Sequence, residues 1–258
     1  MTEIWFESHG TRLFAIERGS GRAILLLHGG LATHLACRPL AEPLAARFRV
    51  VTPDLRASGR SVDAGPLSWD QLADDVAALA RHLGIERAAV GGTSFGAGVA
   101  VRTALRHPRL VSALLVLQPA YGGADRGLAP AQAAAMQAMD AAGSRAVAEG
   151  VGVLLPLFDA LPAPIRERAR AIVPTYDAAS VAASTRFMAS AAQPFARGED
   201  LAAIAAPVLL VPGSDPTHPA EVADVYRRHL PRCTVCAAEP AQLASAIGDF
   251  IDASTAGS

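Results

Sequence analysis

The chain has 258 residues, of which 51% are hydrophobic, and this length suits a single large core of the kind found in α/β folds. A formal net charge of −1 and a sequence pI near 6.7 exclude a strongly basic surface, so neither nucleic acid nor an anionic membrane is an expected partner. The amino terminus shows no charged segment followed by a long apolar stretch, and no run approaches the roughly 20 apolar residues of a membrane span. The sequence therefore predicts a cytoplasmic protein whose partner is a small molecule, with a homodimer left open.

The first segments of the chain predict the edge and the interior of a sheet. Residues 4–6 and 13–17 alternate polar and apolar side chains around a turn, a pattern typical of a hairpin. The continuous apolar stretch 23–27 is expected of a strand buried on both faces. A helix over 33–48, shortened by its two prolines, and a strand over 49–52 are predicted next.

An apolar strand then leads into a turn of small residues and a helix between residues 88 and 105. Within it, Gly92-Thr93-Ser94-Phe95-Gly96 matches the pattern G-x-S-x-G. Between a strand and a helix this pattern is typical of a nucleophile elbow, because the tight turn holds a serine hydroxyl in a strained, exposed position with glycines on both sides for clearance. Ser94 would also lie at a helix N-terminus, where free N–H groups and the helix dipole favour negative charge. A glycine-rich turn whose serine only caps the helix is the alternative interpretation.

Strands and helices alternate on both sides of this turn. Leucine and valine residues recur at helical spacing over 72–83, and a fully apolar strand is predicted over 111–117. The repeated order of strand, helix and strand implies right-handed parallel crossovers and a doubly wound, mostly parallel α/β sheet. In such sheets the chemistry lies at the carboxyl ends of the strands. The residues at predicted strand ends include Gly30, Asp54, Ser94 and Gln118.

The pattern changes after the sixth predicted strand. From residue 121 to about 200 the strands disappear, and alanine-rich helical segments run between prolines and glycines. We interpret 121–200 as a helical cap over the active site, inserted into a core made of residues 1–120 and 201–258. The core resumes with a strand over 207–212, a helix over 220–230, a last strand over 234–237 and a final helix over 240–251.

The three cysteines, Cys37, Cys233 and Cys236, are too few for a disulfide framework. Cys233 and Cys236 form C-x-x-C inside a predicted strand, where residues three apart point to opposite faces and cannot share a metal ion. We interpret all three as thiols of the core. No phosphate-binding loop or cluster of metal ligands is present in the sequence, so neither a cofactor nor a metal is expected.

Taken together, these motifs resemble the α/β-hydrolase family, in particular its capped esterase and lactonase-like members. The resemblance covers essentially the whole chain and is carried by His28-Gly29-Gly30, by Asp54-Leu55-Arg56 with Gly59-Arg60-Ser61, by the elbow at Ser94, by the cap and by Gly213-Ser214-Asp215. It implies that Ser94 is the nucleophile, that the backbone N–H groups of Gly30 and Phe95 form an oxyanion hole, and that Asp215 is the acidic member of the triad.

The histidine of the triad is the point at which the chain departs from the family. A Gly-His pair normally follows the last strand, but here the corresponding stretch 237–241 contains Glu239-Pro240, and no histidine occurs after His229. His218, in the loop after the Asp215 strand, is the predicted base. His229 is expected at the outer end of a helix, where it would act as a cation beside the helix dipole. Two other histidines are weaker candidates for the base. His28 resembles the family's structural loop histidine, and His34 is expected near the mouth of the pocket.

The sequence thus predicts a serine hydrolase that cleaves a small or medium carboxylic ester, thioester or lactone through a Ser94 acyl-enzyme, with a mostly apolar carbonyl compound as substrate. Two alternatives stay open because Glu239-Pro240 stands in place of Gly-His. The first is a hydrolase-like protein that only binds ligands in its pocket. The second is a lyase-type enzyme in which Glu239 moves a proton without a covalent serine, which requires burial to raise the pKa of a carboxyl whose reference value is about 4.3.

Overall fold

The computed structural model describes residues 1–161, 163–190 and 192–255. The described strands are β1 (Thr2–Ser8), β2 (Thr11–Arg18), β3 (Ala23–Leu27), β4 (Arg49–Pro53), β5 (Ala88–Thr93), β6 (Val111–Leu117), β7 (Val208–Val211) and β8 (Cys233–Val235). They form one sheet in the order β1-β2-β4-β3-β5-β6-β7-β8. β1 pairs antiparallel with β2 and β2 with β4, and every other pair is parallel. The α/β class and the mostly parallel sheet are therefore confirmed.

Helices cover both faces of the sheet, as the alternation of side chains along the strands requires. The described helices are α1 (Arg38–Leu44), α2 (Trp69–His82), α3 (Phe95–Arg106), α4 (Pro130–Glu149), α5 (Ala163–Ile172), α6 (Ala178–Ala189), α7 (Ala220–His229) and α8 (Leu243–Thr255). Leu25 and Leu27 of β3 join the apolar layer beneath α2, α3 and α7, whereas Ile24 and Leu26 join the layer beneath α1 and α8. A strand with both faces covered is expected to be continuously apolar, as β3 is.

Two helices differ from their predicted bounds because of proline. The predicted helix 33–48 consists of a 3-10 turn, His34–Cys37, followed by α1, which ends one residue after Pro43. Proline has no N–H and its ring crowds the preceding turn, so a short helix is the stable outcome. The last helix begins at Leu243 rather than Pro240, because Glu239 and Pro240 form a separate turn whose carbonyls accept from the amides of Gln242 and Leu243.

The described residues between β6 and β7 form helices and 3-10 turns and no strand. α4 packs along α6, and a small apolar cluster that includes Leu154 and Val173 lies beside them. Met188 of α6 is itself buried in the main core beneath α2 and α3. The predicted boundaries and the role of this helical segment as a cap stay predictions. Residues 162 and 191 of the predicted cap and 256–258 of the predicted core lie outside the described residues.

The cysteine prediction needs a correction at the last strand. β8 ends at Val235, so Cys236 lies beyond it. Cys37 is buried, but Cys233 and Cys236 are only partly buried, and they pack against the apolar layers on opposite faces of the sheet. In the part of the chain that the structure covers, no group of histidine, cysteine and carboxylate side chains has the arrangement of a metal site. The described helices include none with the length and apolar character needed to cross a membrane.

Candidate active site at the carboxyl ends of the strands

The strand-to-helix turn between β5 and α3 places Ser94 in a backbone conformation that non-glycine residues rarely adopt. Its φ is 57° and its ψ is −115°, a combination that costs on the order of 1–3 kcal/mol. Surrounding hydrogen bonds hold it there. The Ser94 amide donates to the carbonyl of Leu117 at 3.0 Å, and its own carbonyl accepts from the amides of Ala97 and Gly98. The turn therefore has the strained geometry of a nucleophile elbow.

Glycines on both sides of Ser94 let this turn sit directly on the end of β3. A Cβ atom added to Gly92 would lie 2.5 Å from the backbone of Gly96. A Cβ atom added to Gly96 would lie 2.5 Å from the carbonyl oxygens of Leu27 and His28. Real Cβ atoms do not approach backbone that closely, so only glycine fits at either position.

The loop after β3 supplies the predicted oxyanion hole. Gly29 lies against the nucleophile, since a Cβ atom there would be 3.6 Å from the Cβ of Ser94. No described residue accepts a hydrogen bond from the backbone N–H of Gly30 or of Phe95. The Met188 side chain covers Gly30 from α6, and its sulfur lies against the position that a Cβ atom on Gly30 would take. Neither predicted donor therefore has an acceptor among the described residues, and the Gly30 donor lies beneath a flexible side chain.

The turn after β7 brings Asp215 and His218 together. The His218 Nδ1 lies 2.8 Å from one carboxylate oxygen of Asp215 and 3.0 Å from the other, and Thr217 donates to the same carboxylate from both its amide and its hydroxyl. Burial alone would raise the pKa of the Asp215 carboxyl, but the hydrogen bonds from Thr217 and His218 and the charge of His218 outweigh it and lower the pKa to about 2. Asp215 is therefore ionised at neutral pH and orients the imidazole.

The other ring nitrogen of His218 faces the protein interior. Its Nε2 is buried and has no hydrogen-bond partner among the residues that the structure covers. With a proton on Nδ1 facing the carboxylate, Nε2 presents a lone pair. A buried polar atom without a partner is uncommon and calls for an explanation such as a catalytic role.

Ser94 and His218 are not joined in this structure. The Ser94 residue is partly buried. Its hydroxyl makes no hydrogen bond to any described residue. β6 lies between β5 and β7 in the sheet, so the two strand ends are about 10 Å apart at a strand spacing of about 4.8 Å. The structure thus brings together Asp215 and His218 and leaves the contact between His218 and Ser94 unmade.

Sequence reasoning missed Gln132, which connects α4 to this turn. Gln132 is 1% exposed. Its Nε2 donates to the carbonyls of Ala120 and Thr217, and its Oε1 accepts from the amide of Ala129. The loop after β6 and the turn that carries His218 are therefore both anchored on one side chain. Glutamine at the third position of a helix that begins with proline is half of a capping box, and this was the available signal.

His28 and His34 hold the loop after β3 and the loop after β4 together. The His28 Nε2 accepts from the amide of Leu55, and burial lowers the pKa of His28, so its ring is neutral. The buried Asp54 accepts from His34 through both the amide, at 2.7 Å, and Nδ1, at 2.8 Å, and also from the Arg60 amide. Burial would raise the pKa of Asp54, but the hydrogen bonds and charge of His34 lower it. These groups position the predicted oxyanion loop, and the sequence alone did not reveal the His34–Asp54 pair.

The remaining candidate bases lie away from the elbow. Glu239 is exposed to solvent in the turn between β8 and α8. His229 is the last residue of α7, and its ring packs against Gly198. The structure therefore offers no support for a proton transfer by Glu239, and it places His229 where the sequence predicted it.

The volume of free space near the elbow differs between the α6 side and the α1 side. Phe95 packs against Trp69 and Phe187, with ring centroids 5.3 and 6.1 Å apart, and the gap lined by Leu31 and Val181 beneath α6 holds only about 10 Å³. A cavity of about 200 Å³ lies on the α1 side of the strand ends. A groove of about 730 Å³ lies between the C-terminal ends of α2 and α3. It is at the amino ends of β5 and β6, so it is separated from Ser94, which follows the carboxyl end of β5.

Comparisons with known proteins identify relatives of the same fold. A family model described as the alpha/beta hydrolase fold matches residues 22–149. A soluble epoxide hydrolase from a Corynebacterium species is 34% identical over 111 residues, which are 42% of this chain and 38% of that protein. The chain spans about two fifths of the length of the curated relatives that it matches.

Solved structures extend the match to nearly the whole chain. An esterase from Thermogutta terrifontis superposes with a TM-score of 0.81 at 23% identity, over 98% of this chain and 99% of that one. An enol-lactonase from Burkholderia xenovorans superposes with a TM-score of 0.77 at 20% identity, over 96% of this chain and 100% of that one. The strand order and these matches show that the chain has the α/β-hydrolase fold.

Proposed function

We propose that this protein is a hydrolase that cleaves a small or medium ester, thioester or lactone through an acyl-enzyme on Ser94. The observation that carries the proposal is the pairing of His218 with Asp215. The Nε2 atom of His218 is buried and has no partner among the described residues. Its turn follows β7 at the end of the sheet where the strained Ser94 follows β5. The likeness to an esterase, an enol-lactonase and an epoxide hydrolase supports a hydrolytic reaction of this class. The substrate is proposed to be a mostly apolar carbonyl compound.

In the proposed reaction the Ser94 oxygen attacks the carbonyl carbon while the His218 Nε2 takes the hydroxyl proton. Ionised Asp215 stabilises the imidazolium that forms. The tetrahedral intermediate then collapses, the leaving group receives the proton from His218, and the acyl group stays on Ser94. A water molecule then attacks the acyl carbon while His218 takes its proton, and His218 returns that proton to the Ser94 oxygen as the ester bond breaks and the acid leaves.

The negative oxygen of the intermediate would lie between the backbone N–H groups of Gly30 and Phe95. Phe95 opens α3, so the partial positive charge of the helix N-terminus adds to its donor. One such donor is typically worth about a hundredfold to a thousandfold in rate. Because Met188 covers Gly30, its thioether must move aside, or lie along the substrate, when the carbonyl binds.

Labelling with a fluorophosphonate followed by peptide mass spectrometry tests the proposal. Wild type is expected to carry the label on Ser94 at neutral pH, and Ser94→Ala is expected to carry none. His218→Ala should react at least about a hundredfold more slowly, as is typical of losing a general base. His229→Ala is the matched control, because it removes a histidine from the same part of the fold without touching the elbow. An unlabelled Ser94 in folded wild type would contradict the proposal.

A second candidate is a ligand-binding protein that keeps the fold without turnover. It is favoured by the absence of a hydrogen bond between Ser94 and His218 in the described residues and by the exposed Glu239 where the family places a histidine. Thermal-shift screening against apolar carbonyl compounds, beside assays with p-nitrophenyl esters, separates the two. Ligand-induced stabilisation with no Ser94-dependent turnover would favour the binding protein.

A further inference from the structure

Three arginines lie together at the amino ends of the parallel strands, at the end of the sheet opposite Ser94. Arg87 directly precedes β5, Arg109 lies two residues before β6, and Arg81 is in the last turn of α2. All three are exposed, and none forms an ion pair or a side-chain hydrogen bond with a residue that the structure describes. Because β5 and β6 are neighbours in the sheet, about 4.8 Å apart, their amino ends bring these free arginines onto one face.

This face carries the groove of about 730 Å³ between the ends of α2 and α3. Arg81 and Arg109 both line it. Its wall includes Ile85 and Leu110, each only 8% exposed. Gly84 also lines the groove, and a Cβ atom there would meet nothing within 4 Å, so the groove is open at this point. A cleft with an apolar wall, a few polar groups and a volume of about 300–1,000 Å³ is typical of sites that bind small molecules.

The remaining charged groups of the wall leave the groove positive. Arg106 donates to Asp74 through two nitrogens, at 2.6 and 3.0 Å, and the His107 Nε2 lies 2.7 Å from the same carboxylate. Glu86 is the one carboxylate among the described residues that line the groove. After Asp74 has neutralised Arg106, the two unpaired arginines of the wall face this single carboxylate. The groove therefore has one excess positive charge.

Helix dipoles explain only some of these arginines. An arginine in the last turn of a helix interacts favourably with the free carbonyls there, which accounts for Arg81 of α2 and Arg106 of α3. Arg87 and Arg109 lie beyond those helices, in the segments that lead into β5 and β6. A free guanidinium group presents two parallel donors that match the two oxygens of a carboxylate. Their position beside an apolar wall therefore points to a ligand that is both anionic and apolar.

We propose that this groove binds an amphiphilic monocarboxylate, with its apolar chain against Ile85 and Leu110 and its carboxylate on Arg81 and Arg109. One excess positive charge in the groove complements a single negative charge. The apolar wall distinguishes a medium-length or aromatic acid from acetate, which has too little apolar surface to use it. The site lies at the other end of the sheet from Ser94, so it does not depend on the proposed hydrolase function.

Calorimetric titration with decanoate tests the proposal without any activity assay. Wild type is expected to bind one decanoate per chain at this face, at least about tenfold more tightly than either acetate or 1-decanol, and less tightly as salt is added. A decanoate with a diazirine on its chain is expected to label peptides that contain residues 77–86 or 106–110. No decanoate binding, equal binding of 1-decanol, or a label confined to other peptides would overturn the proposal. Binding of anionic vesicles without binding of free decanoate would also overturn it, in favour of a membrane surface.

Charge reversal then tests the two arginines. Arg81→Glu combined with Arg109→Glu is expected to weaken decanoate binding by about tenfold or more, because two attractions become repulsions. Arg168→Glu combined with Arg170→Glu is the matched control, since both residues are exposed on α5 and the net charge changes equally. The control is expected to keep the wild-type affinity. Equal losses in both double variants, or no loss in either, would show that the groove does not hold the carboxylate.

Discussion

Gln132 offers the most direct test of how the helical segment controls the site. The buried amide makes three hydrogen bonds, to Ala120, Thr217 and Ala129. Gln132→Leu keeps a similar volume but leaves two carbonyls and one N–H without a partner. Because the Gln132 side chain is 1% exposed, water cannot readily replace its bonds to the two carbonyls, whereas the N–H of the exposed Ala129 can be hydrated. At about 1 kcal/mol for each of the two carbonyl bonds, the free energy of unfolding should fall by about 2 kcal/mol.

The substitution should affect catalysis as well as stability. Thr217 precedes His218, so the turn that holds the imidazole loses its anchor on α4, and kcat should fall more than KM rises. Urea unfolding followed by circular dichroism measures the stability, and ester hydrolysis well below the transition measures kcat. Gln137→Leu is the control, since Gln137 is exposed on the same helix. A loss below about 1 kcal/mol, equal to that of the control, would refute the reasoning.

The elbow, the histidine turn and the buried aspartate can each be tested with one substitution. Gly96→Ala should lower the free energy of unfolding by more than about 2 kcal/mol in urea, because the new Cβ would lie 2.5 Å from backbone atoms, whereas Gly152→Ala meets nothing within 4 Å. His218→Ala should cost about a hundredfold or more in kcat/KM and add little to Ser94→Ala, and retention of a tenth of the activity would exclude it as the base. The pKa of Asp54 in the folded protein lies below its ordinary value of 3.8. The ionised carboxylate therefore stabilises the fold fully above pH 3.8, and this stabilisation is lost as the pH falls through the pKa of the folded protein. Asp54→Asn should therefore melt at a lower temperature at pH 7 but show a shallower decline below pH 4, and parallel melting curves would contradict this.

Strands were predictable from the sequence wherever burial alone decides the pattern of apolar residues. β3 and β6 are continuously apolar because helices cover both faces, and their predicted bounds are the observed ones. The elbow was predictable because its turn requires small residues at fixed positions on either side of Ser94. α1 and α8 were placed less well, because a proline near a helix end permits several stopping points and tertiary packing selects one.

The details of the site depend on contacts that sequence spacing does not encode. Residues three apart in a turn can face any direction, so the sequence could suggest that Asp215 pairs with His218 but could not show how the two side chains meet. The bond from Gln132 to Thr217 joins residues 85 positions apart. The buried pair of His34 with Asp54 likewise forms because two loops meet at one end of the sheet. Such pairs follow from the packing of the whole molecule rather than from local pattern.

The aromatic packing around Trp69 gives the protein its own optical reporter. The chain has two tryptophans. Trp5 lies at the sheet edge beneath Arg60, whereas Trp69 is 6% exposed with its ring 5.2 Å from Phe187 of α6 and 5.3 Å from Phe95 of the elbow. Any motion that lifts α6 from the nucleophile must hydrate the indole of Trp69. With Trp5 replaced by phenylalanine, a red shift of the remaining fluorescence would time that opening in a stopped-flow instrument, with no added dye.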